Sequence, residues 1–401
     1  MANAPAPSRN LLFLLVALTA LGEVSTQLII PGLGAIEHAL QAPQGSALMA
    51  LSAFVAAFGL GQLLFGPLSD RIGRRPVLIG GLALYVVATL AMLLVTDIQQ
   101  FIAARVLQGL GACAALVLAR TVVRDVWKAE AGPALALTMI GMLYAIVVAP
   151  IAGGLLIKLL GWRAPIALAL VIGSLVLLLA LLFFRESNHH LDLRAAHWRT
   201  LGGQYLDLLK GRQYRAYAAA LVCTYGAMFA VIAGSSAVFI NLLGFSSLEY
   251  GLNFGLIVSM LIVGSTYTRR NIQRLGPQRI VAMGVTMVAV GGVAALAIYL
   301  VFGLSVVGLD IPIALVTLGG GLVLPGSVTG AVMPNAHRAG LAAGLMGFAQ
   351  MFGATCSGLL LSQLRDGSAA PMIIIQAGLA LSALVAFQLL RQRQVKTLSY
   401  I

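Results

Sequence analysis

The 401-residue chain is short of charge: only 9% of its residues are Asp, Glu, Lys or Arg, and just 12 are acids. A soluble domain carries roughly 25% charged residues. With 60% hydrophobic residues and a mean hydropathy of +0.99, the composition excludes a soluble globular protein and leaves a polytopic membrane protein. Cysteine is scarce too. Cys113, Cys223 and Cys356 lie in three separate apolar runs without C-x-x-C spacing, which argues against a disulfide framework or a thiolate metal site. The five histidines fall in loops or at helix ends, and only His189–His190 are adjacent, a solvated loop pair or a weak metal binder. No Walker motif is present, and Gly319–Gly321 sit inside an apolar run as packing residues. ATP-driven chemistry on this chain is excluded, and no nucleophile–base constellation or metal cluster suggests an enzyme.

What the chain has is long apolar runs. Twelve runs of roughly 20 residues cover 11–31, 47–66, 77–95, 99–121, 133–157, 164–184, 216–240, 248–268, 279–302, 311–331, 340–362 and 371–390. The first is followed by eleven others and reads as a retained span rather than a signal peptide. The net charge of +13 follows the same alternation. With the N-terminus inside, Arg9, the Arg71–Arg75 cluster, Arg120, Arg124, Lys128, the bases of 185–215, Arg269 to Arg279, Arg338 and Arg391 to Lys396 all fall inside. Only Lys158, Arg163 and Arg365 fall outside, and Arg105 lies within a span. That is the positive-inside pattern with both termini cytoplasmic; it points to a lipid bilayer, not to nucleic acid.

The longest polar interval, 185–215, splits the spans six and six. It predicts bundles over 1–184 and 216–401 joined by a linker with an interfacial helix, whose apolar side is Trp198, Leu201, Tyr205 and Leu208. A weak repeat agrees. GPLSDRIGRRP (66–76) aligns with RRNIQRLGPQR (269–279) when Gly73 is set on Gly276, which pairs Arg71 with Arg274 and drops Asp70 onto Gln273. A duplicated six-helix unit leaves such a trace.

GPLSDRIGRRP resembles the signature loop between the second and third helices of the major facilitator superfamily, G-x-L-x-D-R-x-G-R-R. Every key position is present: Gly66, Leu68, Asp70, Arg71, Gly73, Arg74 and Arg75. The resemblance covers essentially the whole chain and implies an all-α polytopic fold of twelve transmembrane helices in two six-helix bundles around a central cavity. Charge placement alone does not call for Asp70 and two spaced glycines. Gly66 and Gly73 permit close approach or positive φ. Asp70 suits a helix N-terminus, which by resemblance is the eleventh helix near Gly340. Together with Arg124 and Asp125 these residues read as a conformational latch rather than a substrate site.

The fourth span narrows the family. Arg105, Gln108, Gly109 and Gly111 are similar to the R-x-x-Q-G-x-G motif of drug:proton antiporters. Ala119-Arg120 and Arg124-Asp125 resemble the ending of this helix in the Bcr/CflA branch, which exports bicyclomycin and phenicols. In the fifth span Pro150, Gly153 and Gly154 match the antiporter hinge G-x-x-x-G-P-x-x-G-G, but Ala145 and Ala149 stand for its first two glycines. In the first span the Asp that many members carry four residues before the closing proline is Gln27, before Pro31; the nearest carboxylate is Glu23, one turn deeper.

Glu37, Asp97, Glu249, Asp310 and Asp366 fall outside, and Asp70, Asp125, Glu130, Glu186, Asp192 and Asp207 inside. Glu23 is left as the intramembrane acid. An ionised group there costs about 2.5–3.5 kcal/mol on insertion scales. It therefore reads as a proton-coupling group or as a protonated carboxyl bonded to a neighbouring helix. Arg105 is its candidate cationic partner, or else a structural group bonding carbonyls of the first helix. By rise per residue, Glu23 lies roughly 12 Å and Arg105 roughly 9 Å below the outer helix ends. Gln27, Tyr144, Tyr225, Phe229, Asn253, Phe254, Phe348 and Met351 are candidates for a substrate pocket or for packing.

The implied activity is efflux of neutral or singly charged amphipathic drugs in exchange for protons, by a monomer in a bacterial inner membrane, with no cofactor but the proton gradient. The alternative is export of a metabolite such as a sugar or amino acid by the same cycle.

Overall fold

The computed structural model describes residues 8–127, 131–188, 198–364 and 366–391. Lys128, Glu130, the three histidines of 189–197, Asp192, Arg365 and the basic tail after Arg391 lie outside the described residues, as do the side chains of Trp198 and Leu201. Every described regular element is helical. α1 (Arg9–Gln27) continues through a 3₁₀ turn, Ile30–Gly32, into α2 (Leu33–Ala39). α3 (Ser46–Ile72), α4 (Arg74–Leu94), α5 (Ile98–Trp127), α6 (Ala131–Leu160) and α7 (Ala164–Phe183) complete the first half. α8 (Trp198–Lys210) is the linker helix. α9 (Arg212–Ser236), which ends in a π-helical turn, α10 (Ser247–Phe302), α11 (Val306–Val332), α12 (Ala339–Leu364) and α13 (Ala370–Leu390) form the second half.

Eleven helices are long and apolar enough to cross a membrane. The expected twelfth span is inside α10, whose 56 residues hold the eighth and ninth spans around a break at Gly276. The break explains the repeat. Gly276 adopts φ 77°, ψ 154°, and its aligned counterpart Gly73 adopts φ 102°, ψ 155° between α3 and α4. Both conformations are open essentially to glycine alone, so the weak repeat preserves a backbone corner. It also corrects the picture of 66–76 as a loop: apart from Gly73, those residues are helical.

Below, the inner face is the one where α1 begins and α13 ends. Near the outer face the halves touch through glycines. Gly154 of α6 lies on the Ser247 carbonyl of α10, Gly251 on the Pro150 carbonyl, and Gly45 on the Ser362 carbonyl of α12. Deeper, Gly358 meets Ser52, Gly59 meets Met351, and Gly347 lies against the Gln62 side chain. Close to the inner face the contact ends: a methyl group placed at Gly66 or Gly340 would meet nothing within 4 Å. The halves are closed outside and apart inside.

α8 turns Leu208 into the second half, and the Tyr205 hydroxyl donates to the Leu63 carbonyl of α3 at 3.4 Å. Pro67 lacks the N–H that would otherwise bond that carbonyl, so the linker helix satisfies an acceptor the proline leaves open.

Candidate functional site

The inner corner of the first half is a polar knot. Arg74 opens α4 and is buried. It pairs with Asp70 at 2.5 Å, donates to Asp125 at 3.1 Å, and donates to the Ser69 hydroxyl at 2.6 Å. The Asp70 side chain stays 44% exposed, with no bond to the start of α12, so the contact expected near Gly340 is unmade in this state. The acid that caps a helix here is one the sequence reading placed only as an inner-face charge. Glu186 accepts from the backbone N–H groups of Arg74 (2.9 Å) and Arg75 (3.0 Å), and from those of Ser187 and Asn188. Partial burial pushes the Glu186 carboxyl up, but those four N–H groups outweigh it and hold the group below the usual carboxylate range. Gly73 leaves room for it, since a Cβ there would sit 2.7 Å from Glu186 Oε2. Arg75 reaches the Leu181 carbonyl, Arg124 bonds the Arg120 carbonyl, and Arg71 is exposed. Gly66 has neither positive φ nor a close neighbour here.

Arg105 is 1% exposed and does not face Glu23. Its guanidinium donates to Gln108 Oε1 at 2.6 Å and to the Ser25 carbonyl at 3.3 Å, and stacks over Phe54 at 4.2 Å. Gln108 in turn donates to Thr89, and the Ser25 and Tyr85 hydroxyls share a 2.6 Å hydrogen bond. This chain ties α1, α3, α4 and α5 together. The structural alternative for Arg105, bonding a carbonyl of the first helix, is the arrangement present.

Glu23 faces elsewhere. It is half-buried on α1, with a side-chain hydrogen bond to Gln27 one turn further on. In its electrostatic neighbourhood are the Arg120 cation of α5 and, from the second half, the neutral Tyr225 phenol of α9, which lies beside Gln350 of α12. Arg120 is thus no inner-loop cation, because α5 runs on to Trp127 and leaves it two turns up the helix. Gln350 was likewise absent from the candidates, although it is a helix-embedded amide like Gln27.

The remaining candidates separate. Tyr144 sits on α6 midway around the helix between Gly141, which packs on Val16 of α1, and Val147, which packs on Gly255 of α10. It is 66% exposed, so it faces the space between the halves. Phe229 is buried against Gly358, and Phe254 stacks on Tyr250. Asn253 donates to Asp310, which places that acid inside α11 rather than in an outer loop. Phe348 and Met351 pack on Gly59 at the contact between halves. At the hinge, Pro150 lies within α6, Gly153 packs on the carbonyl of Leu28, which caps the end of α1, and Gly154 on α10. A separate outer cavity of about 440 Å³ lies between Glu37, His38, Asn241 and Ser368. Among the described residues no group of three metal-ligating side chains occurs.

Glu23 and Gln27 of α1, Arg120 of α5, Tyr144 of α6, Tyr225 of α9 and Gln350 of α12 are thus polar side chains carried by long apolar helices of both halves. The chain is similar to proteins with that architecture. It is 30% identical over 355 residues to Multidrug resistance protein D of Escherichia coli (strain K12), covering 88% of each chain. It is 29% identical over 323 residues to the Chloramphenicol resistance protein of Pseudomonas aeruginosa, covering 80% of this chain and 76% of that one. The fold matches the crystal structure of the POT family transporter PepTSo with a TM-score of 0.72 at 14% identity, over 96% of this chain and 97% of the other. The Major Facilitator Superfamily pattern matches residues 12–358, and the chain belongs to that superfamily of membrane transporters.

Proposed function

We propose that the protein exports small amphipathic drugs in exchange for protons, as a monomer of the Bcr/CflA type in a bacterial inner membrane with both termini cytoplasmic. The observation that carries this reading is the placement of Glu23, a half-buried carboxylate in the middle of a helix long and apolar enough to cross a membrane. A group so placed senses which side the cleft opens to. Relatives named for multidrug and chloramphenicol resistance support drugs as the cargo.

With the inside open, deprotonated Glu23 accepts the drug's donors. The halves rock, Asp70 moves to the α12 N-terminus, and a proton from outside neutralises Glu23 and releases the drug. One charge crossing 100 mV supplies about 2.3 kcal/mol, roughly a 40-fold gradient for a neutral drug.

The test is chloramphenicol and ethidium efflux from energised, pump-deficient bacteria expressing wild type and Glu23→Gln. Efflux by wild type should collapse with a protonophore, and Glu23→Gln should bind drug without pumping it. Normal pumping by Glu23→Gln removes the coupling role, and a wild type that moves neither drug favours metabolite export.

A further inference from the structure

The outer cavity of about 440 Å³ takes no part in the cycle above, yet both halves build it. Glu37 and His38 of α2, Gln44 before α3 and Leu48 of α3 form one wall. Val238 and Asn241 of the turn after α9, Leu361 of α12, and Ser368 and Met372 around the start of α13 form the other. Its floor is apolar and buried: Leu48, Val238, Leu361 and Met372 are 2% to 4% exposed. Its mouth is polar and exposed, with His38, Gln44, Asn241 and Ser368. Small-molecule sites have this make-up and fill about 300–1,000 Å³.

The cavity also adjoins the contacts that close the outside. Leu48 lies one turn from Gly45 on α3, and Leu361 is next to Ser362, the carbonyl on which Gly45 packs. A smaller cavity of about 120 Å³ shares Gly34, Leu48 and Asn241 with it and reaches Ser247, the carbonyl on which Gly154 packs. The space therefore lies along the seam between two gate contacts, and its walls part when the outside opens. One wall is irregular. Ala237, Val238, Asn241 and Leu242 all belong to the π-helical turn Ala237–Leu242, a rare conformation that is frequent at functional sites.

The lining specifies a charge as well. Glu37 is 8% exposed, and its Oε1 accepts from the N–H groups of Gly45 at 2.8 Å and Ala47 at 3.1 Å, which fix the carboxylate in place. Among the described lining residues it is the one carboxylate, and none is Lys or Arg. An organic cation gains there what an anion loses. We propose that this cavity is an inhibitory site on the outer side for a small organic monocation, an ammonium group on a compact hydrocarbon body. The ammonium lies toward Glu37 and the hydrocarbon covers the floor. Bound so, the cation touches both halves, and it loses one wall when the outside opens. A ligand shifts such an equilibrium by its difference in affinity for the two states, so occupancy holds the outside shut. Neither Glu23 nor Gln27 lines the cavity, and the device requires two rocking halves, whatever the carrier exports.

Purified full-length protein in nanodiscs is titrated with cyclohexylammonium, cyclohexanol and cyclohexanecarboxylate at pH 8, above the ordinary histidine pKa of about 6.5. Wild type should bind the cation about fivefold or more tightly than the alcohol, and the carboxylate most weakly. Glu37→Gln keeps an acceptor for Gly45 and Ala47 and should erase that preference. Gly34→Phe should abolish binding by filling the cavity, since a Cβ at Gly34 meets nothing within 4 Å. Glu23→Gln should bind the cation like wild type, which separates this site from the central cleft. Spin labels at the exposed Leu160 and Leu252 then report the outer ends of α6 and α10. They are placed in a Gly154→Ala background, where crowding against Ser247 favours the open outside. Saturating cation should raise the short-distance population about tenfold relative to the long one, the shift expected if opening costs the ligand tenfold in affinity. Four results would overturn the proposal: no preference among the probes, binding that survives Gly34→Phe, binding lost in Glu23→Gln, or an outer distance that lengthens or stays put.

Discussion

Gly154→Ala places one methyl group at the outer contact between halves, where backbone already fills the space. An ideal Cβ at Gly154 falls 2.2 Å from the Ser247 carbonyl oxygen and 2.9 Å from its carbon. Ordinary contact begins near 3.4 Å, so α6 and α10 must separate by the 1.2 Å between 2.2 and 3.4. Both obstacles are backbone, and no rotamer change relieves them. Overpacking of this kind costs about 1–3 kcal/mol. The cost exists only while the outside is closed, since opening parts Gly154 from Ser247. The variant should therefore favour the outward-open state by roughly 5- to 150-fold.

The assay is a pair of spin-label distances in a cysteine-free background. Labels at Leu160 and Leu252 report the outer ends of α6 and α10, and labels at Ile72 and Met333 report the inner side; all four positions are exposed. Gly154→Ala should lengthen the outer distance and shorten the inner one. Gly251→Ala, whose Cβ would meet the Pro150 carbonyl at 2.5 Å, should act in the same direction. Gly66→Ala has open space around it in the inward-open state and should not favour outward opening. If Gly154→Ala leaves both distances unchanged, or closes the outside further, the assignment of this contact as the outer gate is wrong.

Other changes have equally definite outcomes. Gly276→Ala should lower thermal stability by about 1–3 kcal/mol through backbone strain alone, because its Cβ meets nothing within 4 Å. Gly73→Ala should cost more, since Glu186 is in the way; melting curves in detergent rank them. Glu186→Gln should loosen the start of α4, seen as faster amide exchange at Arg74 and Arg75. Because the folded-state pKa of Glu186 is depressed, its stabilisation is present above the ordinary glutamate pKa of about 4.3. It is lost as pH falls through the lower folded value, so the protection of those amides, relative to their intrinsic exchange rates, should fall on acidification in wild type and not in Glu186→Gln. Tyr85→Phe removes the 2.6 Å bond to buried Ser25 and should lower stability by about 1–3 kcal/mol, measurable in the same melting series.

The spans were legible because a membrane imposes one length and one polarity on every helix: eleven of the described helices match the apolar runs, and one of them contains two. The corner at Gly276 was legible only through its repeat partner, since a break of one residue leaves hydropathy almost unchanged. Side-chain direction was harder to read. Arg105 and Arg120 both lie on α5, and motif resemblance chose the first as the partner of Glu23. Which groups each side chain meets depends on its depth and rotation on the helix, and apolar content does not encode that when most neighbours of both are Ala, Val and Leu. The cap on α4 was missed for another reason. Glu186 lies 112 residues beyond Arg74, and no local pattern links a helix start to an acid at the end of a different helix.

The inner knot also bears on how little energy the carrier needs in order to move. Arg74 keeps Asp125 and Ser69 when Asp70 leaves it, so moving Asp70 does not strand a buried cation. The bond given up is a half-exposed ion pair, worth about 0–1 kcal/mol. A helix N-terminus returns about 0.3–1 kcal/mol to a carboxylate, so the exchange is close to balanced. A fully buried pair in its place would demand about 3–5 kcal/mol to break, more than the roughly 2.3 kcal/mol that one charge gains across 100 mV. On the export cycle proposed above, the 44% exposure of Asp70 keeps the inner contact weak enough for a single proton to tip.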